Sequence, residues 1–379
     1  MPSSDVSRVF FDSLADARIV VCCGAGGVGK TTLSAALGLW GAMEGRKTVV
    51  LTIDPARRLA DALGLSALDH EPRRVAESVF DGIGPPPPGE LWAMMLDTKH
   101  TFDRLVSRFA PTPEMRSRIL NNRYYRHLSA SLAGSHEYMA MEKLHEIHGE
   151  DRFDLIVLDT PPTRSALDFL DAPRRLSNLF ADNLFWKLVR PYVRTGLFGL
   201  KMFAFFASPI YKAVGRVLGT AVIEDLLDFF QLGDDLFFDG FRKRAEAIHA
   251  VLSGPSARFV AVASPTETPM REARFFHEKL VDSEMPFGGF IINRVNPIYP
   301  EPAGPLPADP APGVSKGLLE RLAANLRDLQ TLGRADAAAI EALKASVGPE
   351  VPIIEIPRFE EDVHDIGGLM RVYGHYWGV

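Results

Sequence analysis

Short apolar runs recur along the chain and alternate with longer stretches in which apolar residues follow a helical period. Such runs are typical of strands that are buried on both faces of a parallel sheet. Strands that alternate with helices predict an α/β fold with a doubly wound, mostly parallel sheet. The predicted strands are Val20–Cys23, Thr48–Ile53, Leu91–Leu96, Phe153–Leu158, Arg258–Ala263, Gly289–Val295 and Val351–Ile356.

Two long intervals between these strands have helical periodicity instead. The interval from Thr98 to His148 is predicted to be helical, and the interval from Leu176 to Phe241 is predicted to form several amphipathic helices. The second interval holds 11 of the 24 phenylalanines, and its stretch Leu197–Phe206 is apolar on almost every side. We therefore predict one domain over residues 1–379, with helical insertions at about 98–148 and 176–250.

A glycine-rich loop with the pattern G-x-x-x-x-G-K-T follows the first predicted strand. Between a strand and a helix this pattern binds phosphate groups, because glycines let successive backbone N–H groups face one anion. Lys30 would bridge the β- and γ-phosphates of a nucleotide, Thr31 would hold Mg²⁺, and Thr32 would reach the α-phosphate. The loop predicts a fold of the P-loop NTPase type. The predicted phosphate-binding residues are Gly24, Gly26, Gly27, Val28, Gly29, Lys30, Thr31 and Thr32.

Two aspartates stand at the ends of predicted strands. Asp54 precedes Pro55, which is typical of a helix N-cap. In a parallel sheet, however, the carboxyl end of a strand faces the ligand, so Asp54 is also a candidate to orient the attacking water, with Lys30 as its catalytic partner. We favour this second role. Asp159 is predicted to hold Mg²⁺ through a bound water, although it can also simply open the turn before two prolines.

Composition narrows the classes of function. The formal net charge is −6 and no Lys/Arg-rich run counters it, which argues against a nucleic-acid-binding surface. Cys22 and Cys23 are the two cysteines, and as strand neighbours they point to opposite faces, so they cannot chelate one metal together. The N-terminal segment lacks the apolar core of a secretory signal, and the longest apolar run is too short to span a bilayer. These features predict a cytoplasmic protein.

The order of the motifs carries a resemblance to a known family. GAGGVGKTT, LTIDPA and LDTPPT resemble the P-loop, switch I and switch II of the anion-transporting ATPases, the family of the arsenical-pump ATPase and the tail-anchored-protein targeting factor. Ile291–Arg294 and Ile356–Glu361 resemble the segments that flank adenine in that family. The resemblance covers nearly the whole chain and implies an ATPase that uses ATP and Mg²⁺. It also implies that Asn293, Pro357 and Phe359 contact the base.

The chain departs from the family pattern at several positions. Ala25 stands where the family has a lysine that reaches the nucleotide of the other subunit. The chain therefore lacks one of the contacts that, in the family, hold the nucleotides between the two subunits of a dimer. No cysteines correspond to those that bind arsenite in the pump, or to the Cys-x-x-Cys that joins targeting-factor subunits through zinc. Arg57, Arg58, Arg164 and Ser165 replace the usual switch residues. Arg164 is either a surface residue or a substitute for the missing cation.

The resemblance leaves three functions open. In the one we favour, a homodimer couples ATP hydrolysis to the handling of an apolar client by the phenylalanine-rich insertion. Such a client is a membrane-protein helix or a membrane-associated partner. The second is the motor subunit of an arsenical pump, against which the missing cysteine pair argues because As(III) needs thiolates. The third is a partition- or scaffold-type ATPase whose apolar helices form a permanent protein interface.

Overall fold

The computed structural model describes two compact units. The described residues are 4–54, 58–110, 112–122, 125, 135–160, 241–301 and 315–376. The first unit comprises Met1–Met94, Arg152–Ala166 and Leu252–Val379, and the second comprises Met95–Asp151 and Leu167–Val251. The predicted phosphate-binding, metal-binding and base-binding residues all belong to the first unit.

An eight-stranded sheet forms the centre of the fold. Its strands are β1 (Ile19–Gly24), β2 (Lys47–Thr52), β3 (Arg73–Arg74), β4 (Glu90–Met95), β5 (Leu155–Asp159), β6 (Ala257–Ala263), β7 (Phe287–Val295) and β8 (Ile353–Pro357). They lie in the order β3-β4-β2-β5-β1-β6-β7-β8. The pairs β1/β5, β1/β6, β2/β5, β6/β7 and β7/β8 are parallel, and β3/β4 is antiparallel. The predicted α/β fold with a mostly parallel sheet is confirmed.

Helices connect the strands. They are α1 (Ser4–Ala15), α2 (Lys30–Met43), α3 (Arg58–Ala62), α4 (Thr98–Phe109), α5 (Pro113–Asn121), α6 (Ser135–Gly149), α7 (Phe241–Leu252), α8 (Glu267–Asp282), α9 (Lys316–Val347) and α10 (Ile366–Tyr376). The helix after the glycine-rich loop, α2, buries Leu33, Leu37 and Trp40 in the same apolar cluster as Val20 and Val157 of the sheet. This packing fixes the start of α2 at the carboxyl end of β1, where a ligand of a parallel sheet binds.

The structure refines the predicted elements. Each predicted strand is present, with bounds that move by one or two residues; Asp159, for example, is the last residue of β5 and not the first residue after it. The sequence pattern did not predict β3, because both of its residues, Arg73 and Arg74, are exposed cations and give no apolar signal of a strand. It also did not predict α1, whose Phe10 and Leu14 are fully buried.

The second unit is helical where it is described. Asp97 caps α4 by accepting a bond of 2.8 Å from the His100 N–H, and Thr112 caps α5 by accepting one of 3.2 Å from the Met115 N–H. These caps divide the predicted helical interval 98–148 into separate helices. Arg244 Nε donates to Glu142 at 2.9 Å, and this partly buried ion pair connects α7 to α6.

Most of the second predicted insertion, 176–250, lies outside the described residues, as do Thr163, Arg164 and Ser165. Its bounds and its amphipathic helices therefore stay predictions, apart from α7 at its end. Among the helices in the described part of the chain, none is both long enough and apolar enough to cross a bilayer.

Candidate functional site

The loop between β1 and α2 depends on glycine at particular positions. Gly29 is the N-cap of α2 and has the left-handed angles φ 96° and ψ 23°, which disfavour other residues. A Cβ atom at Gly29 would lie 2.4 Å from Nδ2 of Asn293, and one at Gly24 would lie 2.1 Å from the carbonyl oxygen of Val262. The pattern that the sequence shows is therefore needed for two reasons: the backbone turns, and β6 and β7 approach it closely.

Side chains hold the carbonyl groups of this loop. Nζ of Lys30 donates to the carbonyl oxygens of Gly24 and Ala25 at 2.9 and 2.8 Å. Two donors come from the end of β7: Nδ2 of Asn293 reaches the Val28 carbonyl at 2.8 Å, and the guanidinium of Arg294 reaches the Gly27 carbonyl at 3.1 Å. In a planar trans peptide the N–H points opposite to the C=O. The amides of Val28 and Gly29, which follow the carbonyls that Arg294 and Asn293 bind, therefore face away from these two side chains, as an anion cradle requires.

Lys30 itself is largely buried, with 7% of its surface exposed. Burial lowers the pKa of its ammonium group, and the carboxylate of Asp159 is the main group that opposes this shift. A cation placed in this way has few competing waters and is available to phosphate oxygens. Lys30 is held at the loop by its bonds to the Gly24 and Ala25 carbonyls and by the charge of Asp159.

A cluster of oxygen atoms lies where β2 and β5 end. The parallel register pairs Thr52 with Asp159, and the Thr52 hydroxyl donates to Oδ2 of Asp159 at 2.8 Å. The same hydroxyl accepts a bond of 3.2 Å from the backbone N–H of Asp54. Thr52 therefore connects the two aspartates that the sequence singles out. A threonine inside a buried strand carries no signal of such a role, and the sequence pattern did not identify it.

Asp159 has the features of a metal anchor. It is 1% exposed, and its Oδ1 has no hydrogen-bond partner within the described residues. Burial raises the pKa of this carboxyl group, whereas the hydroxyl groups of Thr31 and Thr52 and the ammonium of Lys30 lower it. A buried carboxylate oxygen without a partner, close to a threonine hydroxyl, fits the hard oxygen ligands that Mg²⁺ prefers. The residues therefore fit the predicted metal.

Asp54 is more open to solvent. Its side chain is 25% exposed, and Oδ2 lies 3.7 Å from NH1 of Arg58, whose side chain is 73% exposed. The backbone bond to Thr52 fixes the start of the segment after β2. Pro55, which follows, lies outside the described residues, so the choice between the N-cap and the water-orienting role stays a prediction.

The residues predicted to contact the base lie at the ends of β7 and β8. Val295 pairs with Pro357, and the Arg358 N–H donates to the Val295 carbonyl at 2.9 Å. Phe359 is partly buried against the apolar core. The structure brings Asn293 directly to the phosphate loop, which the sequence alone could not indicate. A base role for Asn293, Pro357 and Phe359 stays a prediction.

Both cysteines are buried in β1, Cys22 fully and Cys23 with 1% of its surface exposed. Burial raises the pKa of the Cys22 thiol and raises that of Cys23 to about 12. Thiols with pKa values this far above neutrality are not thiolates, and metals and As(III) bind thiolates. Their burial agrees with the predicted strand Val20–Cys23.

Comparisons with known proteins support a nucleotide-dependent enzyme. A family model described as anion-transporting ATPase matches residues 17–303. An Entamoeba dispar protein named ATPase ASNA1 homolog is 23% identical over 295 residues, which cover 73% of this chain and 75% of that protein. An Aquifex aeolicus protein provisionally named arsenical pump-driving ATPase 2 is 25% identical over 293 residues, covering 75% of this chain and 82% of its own length.

A second Aquifex aeolicus protein, provisionally named arsenical pump-driving ATPase 1, is 29% identical over a shorter stretch of 188 residues. That match covers 46% of this chain and 44% of the relative, so the chain spans less than half of this relative's length. Similarity to the two longer matches covers about three quarters of each protein.

Proposed function

This chain belongs to the anion-transporting ATPase family, and on that premise we propose that it binds ATP with Mg²⁺ at the β1–α2 loop and hydrolyses the γ-phosphate. The predicted family and the predicted ATPase class are confirmed by the family match. The observation that supports the site most directly is that Arg294 and Asn293 hold the Gly27 and Val28 carbonyls, because this directs the amides of Val28 and Gly29 to the opposite side.

Phosphate recognition rests on the loop. The amides of the glycine-rich segment and the N-terminus of α2 would bind the phosphate oxygens, with Gly24, Gly26, Gly27, Val28 and Gly29 supplying the backbone. Lys30 would exchange its bonds to the Gly24 and Ala25 carbonyls for the β- and γ-oxygens. Thr32, in the first turn of α2, would reach the α-phosphate.

Thr31 and Asp159 would hold Mg²⁺, with Asp159 acting through a bound water. When bound, the ion neutralises charge on the β- and γ-oxygens. Asp159 is suited to this role because its unpartnered Oδ1 is buried, while its other oxygen is fixed by Thr52. The family resemblance and the oxygen donors together support Mg²⁺ as the cofactor.

Asp54 would orient the water that attacks the γ-phosphate. Its backbone is linked through the Thr52 hydroxyl to the carboxylate of Asp159, so one buried side chain fixes both the Asp54 backbone and the Asp159 carboxylate. Positioning and electrostatic stabilisation are the main means by which proteins catalyse phosphoryl transfer. Asn293, Pro357 and Phe359 would contact the adenine.

Replacing Lys30 tests this assignment. We expect Lys30→Ala to abolish Mg²⁺-dependent phosphate release from ATP, because the loop then lacks its cation. Lys279→Ala removes an exposed lysine of α8 that pairs with Asp282, and it should retain wild-type turnover. Thermal unfolding of both variants checks that they are folded. Turnover by a folded Lys30→Ala protein at the wild-type rate would refute the site.

We further infer that the ATPase cycle acts on an apolar client through the insertion at about 176–250. The support is the concentration of 11 of 24 phenylalanines between Leu176 and Phe241, together with relatives that are named ASNA1 homologs. The buried cysteines give no support to arsenite as the substrate, although four relatives carry arsenical-pump names. A homodimer is part of this proposal.

The client proposal is tested by replacing both Phe203 and Phe206 with Ser, two phenylalanines that lie outside the described residues. Hydrolysis of ATP and capture of a hydrophobic helical peptide are measured separately. Retained hydrolysis with lost capture is the expected result. A wild-type protein that captures no such peptide would favour a permanent interface of the partition or scaffold type, and an unfolded variant would place these side chains in a core.

A further inference from the structure

Two consecutive residues of β7 hold two consecutive carbonyls of the phosphate loop. Asn293 donates to Val28 at 2.8 Å and Arg294 donates to Gly27 at 3.1 Å. These bonds join segments that are more than 260 residues apart in the sequence. The family resemblance gives Asn293 a place at the base, but nothing assigns a role to the guanidinium of Arg294.

The backbone at Arg294 is adapted to this contact. Arg294 has a φ angle of 62°, in the left-handed region that residues other than glycine rarely adopt. The register between β7 and β8 shifts between Ile292 and Val295, so the two residues in between leave the regular ladder. Irregularities of this kind redirect side chains, and an unfavourable φ persists where surrounding contacts hold it.

The side chain of Asn293 is oriented by the same turn. Its Oδ1 accepts a bond of 3.0 Å from the backbone N–H of Arg294, and its Nδ2 is directed to the Val28 carbonyl. One turn thus sets both the amide of Asn293 and the guanidinium of Arg294 against the loop. Both donors lie on the carbonyl side, opposite to the amides that would face phosphate.

We propose that Arg294 is a positioning residue of the phosphate loop: its guanidinium fixes the Gly27 carbonyl and thereby presets the Val28 amide, which follows it, toward the phosphates. The effect on nucleotides rests on the proposed function, whereas the effect on the loop exists without a ligand. Arg294 replaces neither the family's missing lysine nor a base contact, because in this structure it binds the loop from the side away from the cradle.

The role predicts a specific pattern of ligand affinities. Because Arg294 is exposed and water competes for its guanidinium, we assign its bond the net value of an ordinary hydrogen bond, which is roughly a fivefold change in an equilibrium constant. Arg294→Met keeps the length of the side chain and removes its donors. We expect it to weaken ATP and inorganic tripolyphosphate, both with Mg²⁺, by the same factor of about five, because both ligands use the loop amides. Isothermal titration calorimetry measures both affinities.

Hydrogen exchange in the ligand-free protein gives an independent readout. We expect the amides of Val28 and Gly29 to exchange faster in Arg294→Met than in the wild type. Arg271→Met, which removes an exposed cation of α8 paired with Glu267, controls for lost charge and should change neither readout. Arg294→Lys retains one donor and should restore part of the affinity and part of the protection.

Several results would overturn the proposal. Weaker binding of ATP with unchanged binding of tripolyphosphate would show that Arg294 acts on the base. Full recovery of tripolyphosphate binding by Arg294→Lys, with the loop amides still unprotected, would show that charge alone matters. Unchanged affinity and unchanged exchange rates in Arg294→Met would show that Arg294 is a surface residue that does not position the loop. If the wild type binds neither ligand, the proposed function fails, and the exchange experiment still decides the role of Arg294.

Discussion

Thr52 offers a sharp test of how the two aspartates of the site are held. Its hydroxyl donates to Oδ2 of Asp159 at 2.8 Å and accepts from the Asp54 N–H at 3.2 Å. Thr52→Val keeps the shape of the side chain and removes both bonds. Thr48→Val is a matched control on the same strand, because Thr48 is also buried and, among the described residues, its hydroxyl makes only a long contact of 3.5 Å with the Arg46 carbonyl.

The magnitude follows from the bonds that each change removes. A hydrogen bond to a charged group contributes about 1.5–3 kcal/mol and one between neutral groups about 0.5–1.5 kcal/mol. We therefore expect Thr52→Val to lower the free energy of unfolding by about 2–4 kcal/mol, since the carboxylate of Asp159 stays buried without this partner. Thr48→Val should cost less than about 1 kcal/mol, because the geometry of its bond is marginal.

The effect of Thr52→Val should also depend on pH. The Thr52 hydroxyl is one of the groups that lower the pKa of Asp159, which burial raises above its usual value. A carboxyl group whose native pKa is raised favours the protonated form, so it reduces stability as pH rises from the unfolded pKa through the native pKa. Without Thr52 the native pKa of Asp159 rises further. The stability gap between wild type and variant therefore widens as pH rises through that range.

Urea unfolding of the three proteins at several pH values measures both effects. In the same variant, the acid limb of the pH profile of kcat/KM should move to higher pH, because Asp159 holds the metal as a carboxylate. Equal losses of stability in Thr52→Val and Thr48→Val, or a gap that narrows with rising pH, would refute the reasoning.

Two further predictions concern catalysis and the choice of base. Asp54→Asn should keep ATP affinity and slow hydrolysis by at least ~10²-fold if Asp54 orients the water. If Asp54 is only an N-cap, Asn should replace it with little change in the rate. Turnover and affinity are measured separately, with Asp61→Asn on the exposed side of α3 as the control. Asn293 can donate to and accept from the adenine edge, so ATP should bind more tightly than GTP and Asn293→Ala should reduce that preference. Equal affinities of the wild type for ATP and GTP in competition titrations would remove the selective role.

The sequence predicted the parts of the site that depend on local order along the chain. Lys30 and Gly29 have fixed spacings within one loop, and Asp159 ends an apolar run, so their placement follows from strand and loop patterns. Thr52 could not be found in this way, because a polar residue in a buried strand becomes informative only when the partner strand and its register are known.

Long-range contacts set the second limit. The bonds of Asn293 and Arg294 to Val28 and Gly27 depend on the approach of β7 to the loop. They also depend on the left-handed φ of Arg294, which the sequence does not indicate because the residue is not a glycine. The exposed pair Arg73–Arg74 formed a strand against the pattern, because pairing with β4 supplied its hydrogen bonds. Motif spacing is thus a local property, while the contacts that hold the motif are set by topology.

The position of β1 in the sheet also determines when the site can form during synthesis. β1 lies between β5 and β6, so its two neighbours come from Leu155–Asp159 and Ala257–Ala263, and the contacts that hold the loop come from β7 later still. A nascent chain that has not yet reached Arg294 carries the glycine-rich motif but lacks the donors to the Gly27 and Val28 carbonyls. Pairing over such separations is slow compared with local helix formation. An anion that binds the loop would therefore stabilise the complete sheet. It would not protect a shorter nascent chain from misfolding to the same extent.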